Sequence, residues 1–190
     1  VAGACSGTDT SGGTDPVDPV DPVDPGPQQV ITANGSGMID GSASVTITYD
    51  VSDDNANLTG LGLRVHYDSS VLTYSDFADQ FATGLITSAT DNAEAADEDG
   101  NAATDRYINI NWASFTGLNW PGTLTQDLIT LNFSVADVDV DSTVIGFSSS
   151  STAAGYGFSG EDYALPLLAG SLDFDQSGNG DALTDGLLLL

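Results

Sequence analysis

Oxygen-bearing side chains at alternate positions are the feature of this sequence that is best suited to chemistry. In the C-terminal segment the oxygen donors are Asp173, Asp175, Ser177, Asn179, Asp181 and Asp185. Hard divalent cations take about six to eight oxygen ligands, and this spacing brings such donors together around Gly178. We therefore predict that the segment binds calcium.

A second acidic segment repeats part of this spacing around Gly100. Its oxygen donors are Asp97, Asp99, Asn101 and Asp105. A segment of this kind is either a second calcium site or a run of solvated charge. The residues alone leave both interpretations open.

No set of residues in the sequence matches a glycosidase site, a Ser-His-Asp arrangement or a zinc site. A glycosidase needs two carboxylates, one of them with a pKa raised by apolar surroundings, whereas the Asp and Glu residues here fall mainly in predicted turns or on the polar side of strands. The single histidine, His66, and the single cysteine, Cys5, are too few for a zinc site or a Ser-His-Asp arrangement. Because His66 occupies a polar strand position beside Tyr67, we predict a surface imidazole. We expect a protein that is not an enzyme.

Negative charge dominates the chain. It carries 28 Asp and Glu residues against 2 Lys and Arg residues, and its formal net charge is −26. A surface of this sign repels nucleic-acid phosphates and anionic lipid head groups, so we expect no nucleic-acid partner. Calcium is the expected counterion.

Alternating apolar and polar residues define the elements that must position the oxygen donors. The alternation runs through residues 45–51, 61–67, 108–112 and 129–135. This period is typical of half-buried strands, and clusters of Gly, Asn, Asp and Ser separate the segments. The pattern predicts an all-β fold, an antiparallel β-sandwich. Trp120 either caps its core, which we favour, or stacks on a sugar.

The N-terminal residues 1–27 differ in composition from the rest. An Asp-Pro-Val repeat places proline at every third position, which favours an extended polyproline II spacer.

The small residues before Cys5 resemble a bacterial lipoprotein signal, and that resemblance implies a lipid anchor; the alternative is a free thiol. The longest apolar run, residues 187–190, is far shorter than the ~20 residues of a membrane-spanning helix, so we expect no membrane span.

One strand and the turn after it have a distinctive sequence. Residues 59–74 read Thr-Gly-Leu-Gly-Leu-Arg-Val-His-Tyr-Asp-Ser-Ser-Val-Leu-Thr-Tyr, and Asp68 within them predicts an Asx-turn. With the later strands at 107–113 and 128–135, this segment resembles the cohesin family of bacterial surface and cellulosome modules. The resemblance covers about residues 29–172, and the domain that it implies spans residues 28–172. It implies a jelly-roll β-sandwich that binds another protein module, less often a glycan, and catalyses nothing.

The C-terminal residues 173–190 resemble the calcium loop of dockerins and EF-hands, followed by the start of a helix. The loop departs from that pattern at its twelfth position, which is Thr184, so the closing carboxylate comes one residue later, at Asp185. The other ligands that the resemblance implies are the side chains of Asp173, Asp175 and Ser177, the backbone carbonyl of Asn179, and Asp181 directly or through water.

Four consecutive leucines follow this loop and need to be buried. They are Leu187, Leu188, Leu189 and Leu190. A cohesin-like sandwich and a dockerin-like tail in one chain predict head-to-tail binding between copies, with residues 28–34 as a second contact. The alternative is a tail folded back on its own sandwich.

The function expected from these features is structural. We predict an extracellular or cell-surface module that binds calcium and polymerises with itself into a filament or an adhesive biofilm fibre. The alternative is a carbohydrate-binding or cohesin-type scaffold module that recognises a glycan or a separate dockerin partner.

Overall fold

Strand formation follows the alternating pattern. The computed structural model describes residues 25–81, 85–86, 89–114, 117, 119–136 and 140–167. Within these ranges every regular element is a strand, so the predicted all-β fold is confirmed. In chain order the strands are β1 (Gln28–Ile39), β2 (Ser42–Val51), β3 (Asn57–Leu58), β4 (Gly60–Tyr67), β5 (Leu72–Ala78), β6 (Leu85–Ile86), β7 (Thr90–Ala93), β8 (Arg106–Ala113), β9 (Trp120–Pro121), β10 (Gln126–Val135), β11 (Ser142–Ser151), β12 (Gly157–Gly160) and β13 (Tyr163–Pro166).

Two sheets form the predicted sandwich. The five-stranded sheet has the order β12-β1-β2-β10-β5, and the larger sheet has the order β13-β11-β4-β8-β6, with β7 also pairing with β8. The short strands β3 and β9 pair separately. Neighbouring strands are antiparallel except β1 and β12, which run parallel from the Gln28 and Gly157 pair to the Ile31 and Gly160 pair. The alternation of side chains does not encode this parallel pair, because both orientations have the same period of two.

The core between the sheets consists of the apolar residues of the alternating strands, as predicted. These residues are less than a tenth exposed and include Val45, Ile47 and Tyr49 of β2, Leu61, Leu63 and Val65 of β4, Ile108, Ile110 and Trp112 of β8, and Ile129, Leu131 and Phe133 of β10. Their burial is the main stabilising contribution to the sandwich.

Trp120 lies inside this core. Its side chain is 0 % exposed, and its ring centroid lies 4.6 Å from that of Tyr49 and 6.2 Å from that of Trp112. The predicted role as a cap of the core is confirmed. A Trp120 ring in this position has no open face on which a sugar could stack.

The turn after β4 forms as predicted. The Ser70 amide donates a hydrogen bond of 2.8 Å to Asp68 Oδ1, and the Leu72 amide donates one of 2.9 Å to the Asp68 carbonyl. This Asx-turn returns the chain to the core at Leu72, which is 1 % exposed.

Residues 28–34 belong to their own sandwich. They lie in β1, which pairs with β2 along one side and begins against β12 on the other. This segment forms its ladder within the chain, and its contact with a neighbouring copy stays a prediction of the sequence.

What the sequence predicts for the two end segments is not tested by the described residues. Most of the spacer (residues 1–24) and residues 168–190 lie outside the described part of the chain. The domain boundaries proposed after residues 27 and 172 are therefore untested. Among the described residues, no helix has the length and apolar character to span a membrane.

Candidate functional site

A loop of acidic residues covers part of the larger sheet. This acidic loop (residues 94–105) connects β7 to β8 and lies over the outward side of β4. It buries His66 completely, with 0 % of the residue exposed. The prediction of a surface imidazole is wrong, because the alternation assigned His66 to the outward side of its strand but did not reveal that a loop covers that side.

His66 makes hydrogen bonds through both ring nitrogens. Its Nδ1 lies 2.9 Å from Glu94 Oε2 and 3.9 Å from Asp99 Oδ2, and its Nε2 lies 2.7 Å from Ser148 Oγ on β11. The side chains of Glu94 and Asp99 are 2 % and 1 % exposed. One imidazole and two carboxylates thus share a site that is closed to water.

The acidic loop separates the oxygen donors that its spacing had suggested. Asp99 points inward, and Thr104 Oγ1 lies 2.9 Å from its Oδ2. The Asn101 Oδ1 accepts a hydrogen bond from the Ala103 amide, and Asp97 is exposed at a turn with φ of 47°. In the described part of the chain, the acidic or histidine side chains that converge within metal-ligand distance are His66, Glu94 and Asp99.

Asp105 contacts a different part of the chain. Its carboxylate accepts hydrogen bonds from the Ser69 amide (2.7 Å) and hydroxyl (2.6 Å) in the turn after β4. Partial burial opposes ionisation, but the hydrogen bonds from Ser69 and the nearby charge of Arg106 outweigh it and hold the pKa of Asp105 below its ordinary value. Asp105 therefore fastens the end of the acidic loop to this turn.

A lowered pKa gives this contact a defined pH dependence. Its stabilising effect is fully present above the pKa of Asp in the unfolded chain and disappears as the pH falls through the lower pKa of the folded chain. We expect Asp105→Asn to lower the free energy of unfolding at pH 7 by about 1 kcal/mol, less than usual for hydrogen bonds to a charged group because most of the residue is exposed. Urea denaturation of both proteins should show this gap closing below about pH 4. A gap that is constant with pH would contradict the role of the ionised carboxylate.

Both arginines of the chain lie on strands of the larger sheet. Arg106 Nη2 donates a hydrogen bond of 2.7 Å to Asp91 Oδ2, and Tyr67 Oη donates one of 2.9 Å to Asp91 Oδ1. Burial, with the hydrogen bond to Asp91, raises the pKa of Tyr67 to about 12, so this phenol stays protonated at neutral pH. Arg64 Nη1 pairs with Glu98 of the acidic loop at 2.8 Å, and its guanidinium lies 5.4 Å from the Tyr107 ring centroid.

Beyond the acidic loop, the larger sheet presents polar residues outward. We define the outer face by the outward register positions of its three central strands: Arg64, Asn109 and Asn111, which are half-buried, with Gly62 and Ser148, which are buried. On this face, Asn109 Oδ1 is buried without a hydrogen-bond partner. The site therefore combines a closed histidine and carboxylate cluster with an adjoining polar sheet surface.

Several of the predicted site residues cannot be placed. The C-terminal ligands Asp173, Asp175, Ser177, Asn179, Asp181 and Asp185, the leucines at 187–190 and Cys5 lie outside the described residues. Glu94 was not predicted as a site residue. It has no partner at the spacing of a known motif, and its proximity to His66 arises only when β7 and the acidic loop pack on β4.

No protein-family model and no curated protein matches the chain. Several solved structures are similar to the chain. A chain of a type I cohesin–dockerin complex from Clostridium thermocellum has 14% sequence identity and a TM-score of 0.51, over 75% of this chain and 99% of that chain. The third ScaC cohesin from Acetivibrio cellulolyticus, in complex with the ScaB dockerin, has 14% identity and a TM-score of 0.48 over 75% and 99%. A ScaB type I cohesin from Pseudobacteroides cellulosolvens has 10% identity and a TM-score of 0.47 over 76% and 93%.

At these identities the likeness shows the fold alone. The described sandwich is cohesin-like, and the resemblance expected from residues 59–74 and the later strands is confirmed at that level.

Proposed function

We propose that this chain is a non-catalytic cohesin-type module that binds a separate protein of the dockerin type through the outer face. The cohesin-like fold supports the proposal, since the related complex from Clostridium thermocellum is a cohesin bound to a dockerin. An extracellular or cell-surface location, as expected from the sequence, is part of the same proposal.

The observation that carries the choice of surface is the unpaired acceptor on the outer face. Asn109 Oδ1 has no hydrogen-bond partner, and a buried acceptor without a partner is costly unless something else supplies a donor. Arg64, the neighbour of Asn109 across the β4 and β8 ladder, places a positive charge beside it in an otherwise acidic chain. Asn109 Oδ1 is closed to solvent, so a partner's donor would reach it once the side chain turned outward, and Arg64 would exchange Glu98 for a partner's carboxylate.

Among the described residues, the outward side of the five-stranded sheet has no buried side-chain polar atom that lacks a hydrogen-bond partner. Its polar groups bond one another: Thr46 with Thr130 at 3.0 Å, Thr48 with Asp127 at 2.7 Å and Asn132 with Asp76 at 2.6 Å. Because these donors and acceptors are already paired within the chain, that side offers fewer groups for recognition.

A matched pair of substitutions tests the choice of surface. Asn109→Arg adds bulk and charge to the outer face, and Asn132→Arg makes the same change on the opposite sheet. Calorimetric titration with a panel of type I dockerins should give a Kd at least tenfold weaker for Asn109→Arg, about 1.4 kcal/mol, and an unchanged Kd for Asn132→Arg. Circular dichroism checks that both variants fold.

Three results would contradict the proposal. Equal weakening by both variants, or weakening by Asn132→Arg alone, would assign binding to another surface. Failure of every dockerin to bind the wild-type chain would refute the partner class. Binding of a glycan instead would favour the alternative function predicted from the sequence, which has lost the support of an exposed Trp120.

Calcium binding and self-assembly stay predictions of the sequence. Both rest on residues 173–190, since the structure does not bring Asp97, Asp99, Asn101 and Asp105 to one centre. The filament is therefore secondary to the proposal of a separate dockerin-type partner, which draws its support from the described sandwich.

A further inference from the structure

We infer that His66, Glu94 and Asp99 form a buried binding site for a divalent transition-metal ion such as zinc, closed by the acidic loop. The three inward-facing atoms are His66 Nδ1, Glu94 Oε2 and Asp99 Oδ2, and all lie within 4.8 Å of one another. Two ligands of one zinc ion at roughly 2.0–2.1 Å stand about 3.3 Å apart in a tetrahedral site. The 2.9 Å and 3.9 Å distances from Nδ1 to the two carboxylates bracket that separation.

The atoms that face away from this centre are each held by a separate hydrogen bond. Ser148 Oγ lies 2.7 Å from His66 Nε2, and the Glu98 amide donates to Glu94 Oε1 at 2.6 Å. The Asn101 amide donates to Asp99 Oδ1 at 3.1 Å. Metal ligands in proteins are typically oriented in this way, with one atom on the metal and the other fixed by an outer partner. The arrangement leaves one ligand atom of each residue directed at the common centre.

Charge supports the same conclusion. Two carboxylates that are almost completely buried face a single imidazole, and buried charge is unfavourable unless it is compensated. Neither arginine compensates it, since Arg64 pairs with Glu98 and Arg106 pairs with Asp91. A divalent cation bound by the three residues would balance both carboxylates with the imidazole neutral.

The backbone next to the centre keeps space for Asp99. Gly146 on β11 lies opposite His66 in the ladder, and a Cβ atom at this position would collide with Asp99 Oδ2. Thr104 Oγ1 adds a further oxygen at the same centre, 2.9 Å from Asp99 Oδ2 and 3.5 Å from Glu94 Oε2. The site is thus built from three parts of the chain: β4, the acidic loop and β11.

The ligand set selects the metal. Calcium takes oxygen ligands only, whereas an imidazole with two carboxylates suits zinc, cobalt and related ions. The sequence-based exclusion of zinc counted histidine and cysteine and did not include carboxylates brought together by folding. The inference goes beyond the proposed partner binding, and it supplies a role for the acidic loop, whose Glu98 reaches Arg64 on the outer face.

The single histidine of the chain makes the test direct. The full chain, freed of metal with a chelator, is labelled with ¹⁵N-histidine, and its two ring-nitrogen resonances belong to His66 alone. Addition of one equivalent of ZnCl₂ should move the Nδ1 resonance to the position of a metal-bound nitrogen and raise the Tm. CaCl₂ should leave both ring resonances in place. Ring nitrogens that do not respond to zinc, including an imidazole that stays doubly protonated, would overturn the inference.

Substitutions provide a second measurement. His66→Gln and Asp99→Asn should abolish the rise in Tm with zinc, and Asp79→Asn, an exposed aspartate outside the site, should keep it. Ser148→Ala removes only the positioning hydrogen bond and should weaken zinc affinity by about 10–100-fold. An unchanged zinc response in His66→Gln would refute the site. If the ligand variants fail to fold, the ¹⁵N measurement on the wild-type chain still decides.

Discussion

Trp120→Ala should destabilise the sandwich by about 3–5 kcal/mol, enough to leave a domain of ordinary stability largely unfolded in mild denaturant. The Trp120 side chain is 0 % exposed, and its ring packs at the closest centroid distance, 4.6 Å, on Tyr49 of β2. Its removal leaves a cavity between the sheets that the rigid strands around it cannot fill. The free energy of unfolding from urea titrations, followed by circular dichroism, measures this loss.

An exposed aromatic residue provides the control for this experiment. Phe77 on the edge strand β5 is 40% exposed. We expect Phe77→Ala to lower the free energy of unfolding by less than about 1.5 kcal/mol, since less apolar area leaves contact with the protein. Equal losses in the two variants would show that Trp120 does not lie in the core.

The second large effect is expected at Gly60, where β4 begins. Its φ of +137° is unfavourable for any residue with a side chain, and a Cβ atom would collide with the Trp112 carbonyl and lie 2.9 Å from the Ala113 Cα. We expect Gly60→Ala to lower the free energy of unfolding by about 3 kcal/mol or more, combining backbone strain with displacement of β8. Differential scanning calorimetry at pH 7 should show a Tm that is lower by more than about 10 °C.

Gly41 separates the effect of backbone conformation from that of the collision. It has φ of +74° but open space around its Cβ position, within the turn between β1 and β2. We expect Gly41→Ala to cost about 1 kcal/mol. If Gly60→Ala is as mild as Gly41→Ala, then β4 and β8 do not approach each other as closely as described here.

The strands could be predicted because their signal is local. Apolar residues at every second position of β2, β4, β8 and β10 report which side of each strand faces the core, and the Asp68 turn depends on residues next to each other. Trp120 could be assigned to the core because a large ring at the end of an apolar sandwich is more stable buried than exposed. The parallel pair of β1 and β12 joins residues more than a hundred positions apart, and no local pattern records it.

The site could be predicted only in part, for a related reason. The acidic loop was recognised by its composition, but the direction of each side chain depends on backbone turns that spacing does not reveal. Positive φ angles at Asp97 and Gly100 turn the chain so that Asp99 points inward while Asp97 stays in solvent. His66 then meets Glu94 from 28 residues further along the chain, a contact created by the packing of the loop on β4.

The parallel pairing of β1 with β12 also determines how the sandwich would respond to mechanical tension. A force that pulls the start of β1 away from the end of β12 acts along both strands, so it strains the registered pairs from Gln28 and Gly157 to Ile31 and Gly160 simultaneously. Antiparallel neighbours pulled from adjacent ends would instead separate one pair at a time, as in the opening of a zipper. Loading in shear requires several backbone hydrogen bonds to break together, so this geometry withstands a larger force than the zipper geometry does.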